Sequence, residues 1–446
     1  GQAGTPLAFE LAKQGKTVAI IEKDKFGGTC VNNGCTPTKA YVASARRIHA
    51  AKTAGNLGVS IAGEIKANLK DIKARKDEII TASREGIEDA LKETDGIDMY
   101  RGEAKFIAGK TLDVNREKLS ARQIFLNVGG RPRLPKEYEN AKPLTNASIL
   151  ELGEIPEHLV IVGGSYIGLE LGQMFRRFGS AVTIVEKHDE ILHREDPDVA
   201  KSMREILADE GVEFRLSATC LEAYKMANGK VHVNVDCKHK EPDVEGSHLL
   251  LAIGRVPNTD NLDVQKADLK TTDRGFIAVD EKLRTSVDGI YALGDCNGQG
   301  AFTHTSYNDF EIIKNHLFGD DSRSTKDRHT TYGLFTDPPL GRVGMTMDQA
   351  KKSANRIQVA EMEMSKVARA KEKGETAGFM RIIVDAQTEK ILGAHVLGVG
   401  GDEVISGLTN LMYADASYKV LRDSVQIHPT VSELLPTMLE SLQEPD

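Results

Sequence analysis

Leu159-Val160-Ile161-Val162-Gly163-Gly164-Ser165-Tyr166-Ile167-Gly168 decides the fold. Four apolar residues in a row predict a strand buried on both faces, and the glycines that follow let the chain turn tightly into a helix. A second apolar strand, Val182-Thr183-Ile184-Val185, ends in Glu186. Strand, glycine turn, helix, strand and terminal acid is the order of a dinucleotide-binding βαβ unit. In such a unit a pyrophosphate sits at the helix N-terminus and the acid meets a ribose diol. Ser165 replaces the middle glycine and is small enough to permit close approach.

The chain starts with the same pattern. Gly1-Gln2-Ala3-Gly4 enters an amphipathic segment, Leu7 to Lys13, which ends at Gly15 and is followed by Thr17-Val18-Ala19-Ile20-Ile21-Glu22. Superposing Gly1 on Ser165 puts Gly4 on Gly168 and Glu22 on Glu186, since both acids lie 21 residues downstream. Two registers agreeing at three positions predict two dinucleotide folds. No strand precedes Gly1, so a few N-terminal residues are expected to be missing. Both folds run into similar turns, Gly129-Gly130-Arg131-Pro132 and Gly254-Arg255-Val256-Pro257, read as crossovers closing each unit.

Between them, Gly27-Gly28-Thr29-Cys30-Val31-Asn32-Asn33-Gly34-Cys35-Thr36-Pro37-Thr38-Lys39 puts two cysteines at the mouth of a helix that Pro37 and the spacing of Ala40, Val42, Ala43, Ile48 and Ala51 predict. A thiol at a helix N-terminus has its pKa lowered, and a disulfide closing so short a loop is readily reduced. That predicts a redox pair. A chain of 446 residues with five cysteines needs no structural staples, and no second Cys or His pair completes a zinc site, so no metal is expected.

Lys plus Arg (58) against Asp plus Glu (66) gives a net charge of −8 without a basic block, which excludes a nucleic-acid role. The longest apolar runs, such as Leu249 to Ile253, are too short to span a membrane. With no signal segment and few cysteines, a cytoplasmic location is expected. Leu69 to Lys92 reads as a charged helix, and Tyr100 to Phe106 as strand and turn. Ile290-Tyr291-Ala292-Leu293-Gly294-Asp295 reads as a strand tipped by a carboxylate, with a helix from about Thr305 to Leu317. Beyond Arg328 the texture is that of an α+β module, closing on His428-Pro429-Thr430-Val431-Ser432-Glu433.

With GGTCVNNGCTPTK, VGGSYIGLE, YALGD and HPTVSE in this order, the chain resembles the flavoprotein disulfide reductases, which include dihydrolipoamide dehydrogenase, glutathione reductase and mercuric reductase. The resemblance covers essentially the whole chain. It implies an α/β fold of two Rossmann-like domains and a C-terminal α+β dimerisation domain. The FAD domain would occupy 1–148 and 265–327, the NAD(P)H domain 149–264 and the dimerisation domain 328–446. It implies an FAD site of Gly1, Gly4, Glu22, Gly28, Thr29, Lys39, Ala104, Asp295, Thr303 and His304, with Lys39 beside the flavin and able to pair with Glu170. The nicotinamide site would use Gly163, Tyr166, Gly168, Glu170 and Glu186. Glu186 favours NADH, whereas Lys187, His188, His193 and Arg194 stand where NADPH-dependent relatives bind phosphate.

The resemblance also implies a homodimer in which His428, oriented by Glu433, reaches a site in the other subunit. Cys35, nearer the flavin, would be the charge-transfer thiolate. Cys30 would attack a small disulfide or oxidant, and Cys35 would resolve the mixed disulfide. Cys220, Cys237 and Cys296 are expected to be buried or incidental. The Asn32 to Pro37 pattern also looks like mercuric-reductase-like chains, but a vicinal C-terminal cysteine pair is absent. Glutathione fits poorly, because Gln2, Phe9 and Glu311 stand where glutathione reductases place other residues. Dihydrolipoamide dehydrogenase itself and a metal-ion reductase remain alternatives.

Overall fold

The computed structural model describes residues 1–237, 243–354 and 356–445. Helix α1, Gly4–Lys13, leads to the strand Val18–Glu22, which pairs in parallel with Ile97–Arg101. Between those strands come α2, Gly28–Asn33, α3, Cys35–Lys52, and α4, Leu69–Glu93. The third residue of α3 is Pro37, where no intrahelical N–H is needed, and α4 is capped by the Asn68 side chain accepting from Lys70 N–H. Cys30 lies within the short α2 and Cys35 begins α3, so the two cysteines occupy separate helices with Gly34 between them.

The central unit is a four-stranded parallel sheet in the order Val212–Arg215, Ala181–Val185, His158–Val162, His248–Leu251. Helix α5, Tyr166–Phe178, follows the glycine turn, and α6, Pro197–Asp209, follows the second strand with its proline in the first turn. After this sheet the chain returns. Ile290–Ala292 pairs in parallel with Ile124–Leu126, from before it, and α7, Thr303–Phe318, completes the outer dinucleotide fold. The two Gly-Arg-Pro stretches were read as separate turns. Instead they pair with each other, Gly130–Pro132 antiparallel to Arg255–Pro257, as one ribbon joining the two folds.

The C-terminal module is a five-stranded antiparallel sheet ordered Thr331–Leu334, Leu340–Gly344, Ile391–Leu397, Phe379–Asp385, Ile357–Glu363. One core contains Tyr41 and Val42 of α3, Leu169 and Phe175 of α5, Ile161 and Ile184 of the parallel sheet, and Leu340 and Leu397 of this module. The helix that begins at Cys35 is therefore packed against both later units, which holds its N-terminus fixed. No helix among the described residues is long and apolar enough to cross a membrane.

Candidate active site

A cavity of about 2100 Å³ runs from the N-terminal glycine turn to the cysteine pair. That is well above the roughly 300–1,000 Å³ typical of small-ligand pockets and suits an extended dinucleotide. Its floor is bare backbone: a Cβ on Gly28 would lie 2.8 Å from Gly1 Cα, and one on Gly1 would lie 2.7 Å from Asn127 Oδ1. Gly4 N–H donates to Asn127 Oδ1 at 3.0 Å, and Asn127 Nδ2 donates to the Leu293 carbonyl at 2.8 Å. Asn127 thus ties the first glycine turn to Leu293, between the strand Ile290–Ala292 and the short turn Gly294–Asn297 that carries Asp295. These features fit FAD.

Of the residues singled out from the sequence, Gly1, Gly4, Glu22, Gly28, Thr29, Cys30, Cys35, Lys39, Ala104, Tyr166, Glu170, Asp295, Thr303 and His304 all line this cavity. Burial pushes the Asp295 carboxyl up, partly offset by the Arg255 guanidinium 3.5 Å away. His304 Nε2 lies 2.6 Å from the Thr331 carbonyl, and burial lowers its pKa.

Cys30 and Cys35 are unbridged, and each shifts the other's titration. Cys35, the first residue of α3, has its pKa lowered to about 6. The main cause is the hydrogen bond from Cys30, opposed by burial and aided by the Thr303 hydroxyl and the Lys39 charge. The direction is the one expected at a helix terminus, and the partner thiol adds to it. Cys30 shifts the opposite way, raised by its bond to Cys35 and then by burial. The pair is therefore polarised, one sulfur a thiolate and the other holding its proton. Thr303 Oγ1, at the start of α7, lies 3.3 Å from Cys35 Sγ. Cys296 is buried against the Leu126 and Leu293 carbonyls, and burial pushes its thiol up to about 12. The side chains of Cys220 and Cys237 lie outside the described residues.

Lys39 Nζ lies 2.5 Å from Glu170 Oε2, whose other oxygen accepts from Phe335 N–H at 2.9 Å. Tyr166 packs on Phe302 at 5.4 Å, and Phe302 stacks on Tyr332 at 5.3 Å. Phe302, Phe335, Asn127 and Arg255 were not identified from the sequence as site residues. Asn127 and Arg255 lie on the strand and turn segments that run into the two Gly-Arg turns and Phe302 precedes Thr303, which are the signals that could have found them.

The glycines of the second turn, Gly163, Gly164 and Gly168, do not line this cavity, although Tyr166 and Ile167 between them do. Gly163 has φ +112°, and a Cβ there would lie 2.5 Å from the Ala252 carbonyl oxygen. A Cβ on Gly168 would run into the Gly163 carbonyl, which fixes the close approach of helix and strand. Glu186 Oε2 accepts from Gly164 N–H at 2.7 Å. His428 and Glu433 also lie away from the cavity. His428 Nδ1 is 2.7 Å from Glu433 Oε2, the imidazole is 77% exposed, and neither residue lines the cavity of its own chain.

The pyridine nucleotide-disulphide oxidoreductase model matches residues 1–309, and the dimerisation domain of the same group matches 330–439. The probable pyridine nucleotide-disulfide oxidoreductase RclA of Escherichia coli K12 is 36% identical over 98% of this chain and 96% of its own. Mercuric reductase of Staphylococcus aureus is 30% identical over 97% of this chain and 79% of its own. Dihydrolipoyl dehydrogenase of the same species is 31% identical over 97% and 93%. Among solved structures, a Cu(II) complex of the HOCl-induced flavoprotein disulfide reductase RclA from Escherichia coli superposes with a TM-score of 0.90. It is 35% identical over 99% of this chain and 98% of that one.

Proposed function

Because the chain belongs to the pyridine nucleotide-disulphide oxidoreductase family, and is thus an FAD- and NAD(P)H-dependent oxidoreductase with a dimerisation domain, we propose that Cys30 and Cys35 are its redox pair and a small disulfide or oxidant its substrate. The observation that carries this reading is the polarised thiol pair opening onto the glycine-floored cavity beside Lys39 and Glu170. FAD bound there supplies the acceptor for a nicotinamide hydride and the electron pair that opens the Cys30–Cys35 disulfide.

Gly1, Gly4 and Gly28 let the cofactor approach the backbone, Glu22 receives its ribose, and Asp295, Ala104, Thr29, Thr303 and His304 line its length. Tyr166 covers the nicotinamide side, while Gly163, Gly168 and Glu186 hold the second dinucleotide, with NADH preferred because Glu186 opposes a 2′-phosphate. Lys39 and the Thr303 hydroxyl stabilise the Cys35 thiolate. Cys30, which holds its proton, needs a base, and His428 of the partner subunit fills that role. Cys30 sulfur attacks one substrate sulfur and the S–S bond breaks, with the proton passing through His428 to the leaving thiolate. Cys35 then attacks the Cys30 sulfur of the mixed disulfide, restoring the Cys30–Cys35 bond and releasing the second substrate sulfur as a thiolate that takes its proton from solvent. Glu433 orients the imidazole. This reading divides the chain at 148/149, 264/265 and 327/328 and places the homodimer in the cytoplasm.

A second reading has a soft metal ion as substrate at the same thiols. It is supported by the likeness to mercuric reductase and by the Cu(II) complex of RclA. The deciding experiment is anaerobic NADH and NADPH oxidation by the holoenzyme, with disulfides including lipoamide set beside Hg(II) and Cu(II). Turnover with a disulfide that collapses in His428→Ala supports the first reading. Turnover only with metal ions, indifferent to that substitution, replaces it with the second.

A further inference from the structure

Glu186 is buried and both of its oxygens are engaged, Oε2 with Gly164 N–H at 2.7 Å and Oε1 with His188 N–H at 3.0 Å. Beside it the rings of His188 and His193 stack, with centroids 4.1 Å apart and planes 24° from parallel. His188 Nε2 lies 3.9 Å from Glu186 Oε1. The loop carrying the two rings is pinned to the glycine turn: Leu192 N–H donates to the Gly164 carbonyl at 2.9 Å, and Ile191 Cγ2 would lie 2.9 Å from a Cβ on Gly164. The imidazoles are therefore held by backbone at the strand tip, where a Rossmann fold meets the 2′ position of the adenine ribose. His193 is exposed and His188 half-buried, so an anion can reach both.

The charged groups bearing on the pair are Glu186 and, on the same loop, Lys187 and Arg194. Burial, then the neighbouring imidazole, hold His193 below the ordinary histidine value, which favours the neutral ring. A neutral His193 beside a carboxylate suits a free ribose diol. A protonated pair presents N–H donors to an anion and offsets the Glu186 charge.

We propose that His188 and His193 together form a proton-dependent receptor for a dinucleotide 2′-phosphate, so that the chain uses NADH at neutral pH and gains NADPH as the pair is protonated. The proposal rests on reading residues 159–186 as the nicotinamide-dinucleotide site. A phosphate facing both rings favours the imidazolium form, so its binding takes up a proton and its affinity falls as pH rises.

The test is calorimetric titration of the purified protein with 2′,5′-ADP and with 5′-AMP across pH 6 to 8. In the unaltered protein the 2′,5′-ADP Kd should weaken about tenfold over that range while 5′-AMP stays flat. In His188→Asn/His193→Asn the preference for 2′,5′-ADP should be lost and the slope should flatten or reverse, because the phosphate's own ionisation near about pH 6 then dominates. Retained 5′-AMP binding reports an intact fold, and the single exposed variant His193→Asn provides a second, milder removal. An identical pH slope in the unaltered protein and both variants overturns the proposal. Failure of the wider reading shows separately, as absence of NADH-driven turnover.

Discussion

Lys39 on α3 and Glu170 on α5 form a 2.5 Å ion pair that ties the redox helix to the helix of the second dinucleotide fold. Glu170 is 5% exposed, whereas Lys39 is one-third exposed and also sits 4.5 Å from the centroid of the Phe335 ring. The pair is thus asymmetric: the acid depends on the lysine, while the lysine has water and an aromatic face as well.

Lys39→Met should therefore cost about 1–3 kcal/mol in urea unfolding, since it leaves a buried carboxylate with only the Phe335 N–H. It should also move the Cys35 titration upward, because the Lys39 charge lowers it. Glu170→Gln removes a charge that raises the Cys35 pKa, so it should move the same titration downward. Iodoacetamide alkylation rates against pH measure both. Shifts of the same sign in the two variants would contradict the electrostatic explanation.

In the reduced protein Cys35 should alkylate with a midpoint near pH 6, the reactive thiolate being present above that pH and lost below it. The Cys30 thiol is its strongest support, so Cys30→Ala should raise the midpoint toward the ordinary thiol value of about 8.5. Cys30→Ser, which keeps a donor, should fall between the two. Peptide mapping of the alkylated site separates Cys35 from Cys30. A midpoint unchanged in Cys30→Ala would mean that the helix terminus and Lys39 suffice.

His428 and Glu433 bond each other but lie off the cavity of their own chain. His428→Ala should lower disulfide turnover about 10²–10⁴-fold yet leave reduction of the enzyme by NADH intact, because the imidazole acts only on the thiol half-reaction. Mixed dimers of Cys35→Ser and His428→Ala subunits decide where the histidine acts. Each such dimer keeps one complete site if the residue works across the interface, so activity should reappear on co-refolding two inactive variants. No recovery would place the histidine in its own chain's site.

Local features were legible and long-range ones were not. The cysteine pair, both glycine turns and the acids Glu22 and Glu186 follow from residue type at short spacing, where one turn or helix terminus fixes the chemistry. The Lys39–Glu170 pair, 131 residues apart, was anticipated only through resemblance. Pairing of Gly130–Pro132 with Arg255–Pro257 could not be read, because two similar turns carry no sign that they are each other's partner. The Thr303 contact with Cys35 and the Tyr166–Phe302–Tyr332 stack likewise arise from packing of distant segments, which no periodicity reports.

Arg381, 6% exposed on the strand Phe379–Asp385, joins the dimerisation module to the start of α6. Its guanidinium lies 3.2 Å from Asp196 and also bonds Asp198 and Glu361. Asp196 is buried and additionally accepts from Met347 N–H at 3.0 Å. Arg381→Met should cost about 3–5 kcal/mol near pH 8, because Asp196 loses the cation it bonds inside the protein. Burial already raises the Asp196 pKa, so in the variant this acid is relieved by protonation as pH falls. Asp198 runs the other way. Its lowered pKa contributes stability above its unfolded value that disappears as pH falls through the folded one, and the variant lacks that contribution at every pH. Asp196 narrows the gap as pH falls toward about 4, and Asp198 narrows it further below its ordinary value of about 3.9, so the unfolding free energies of variant and unaltered protein should begin to converge above about pH 4 and close further below it. A gap independent of pH would mean that Arg381 acts through packing against Phe379, 5.3 Å from its guanidinium carbon, and not through its charge.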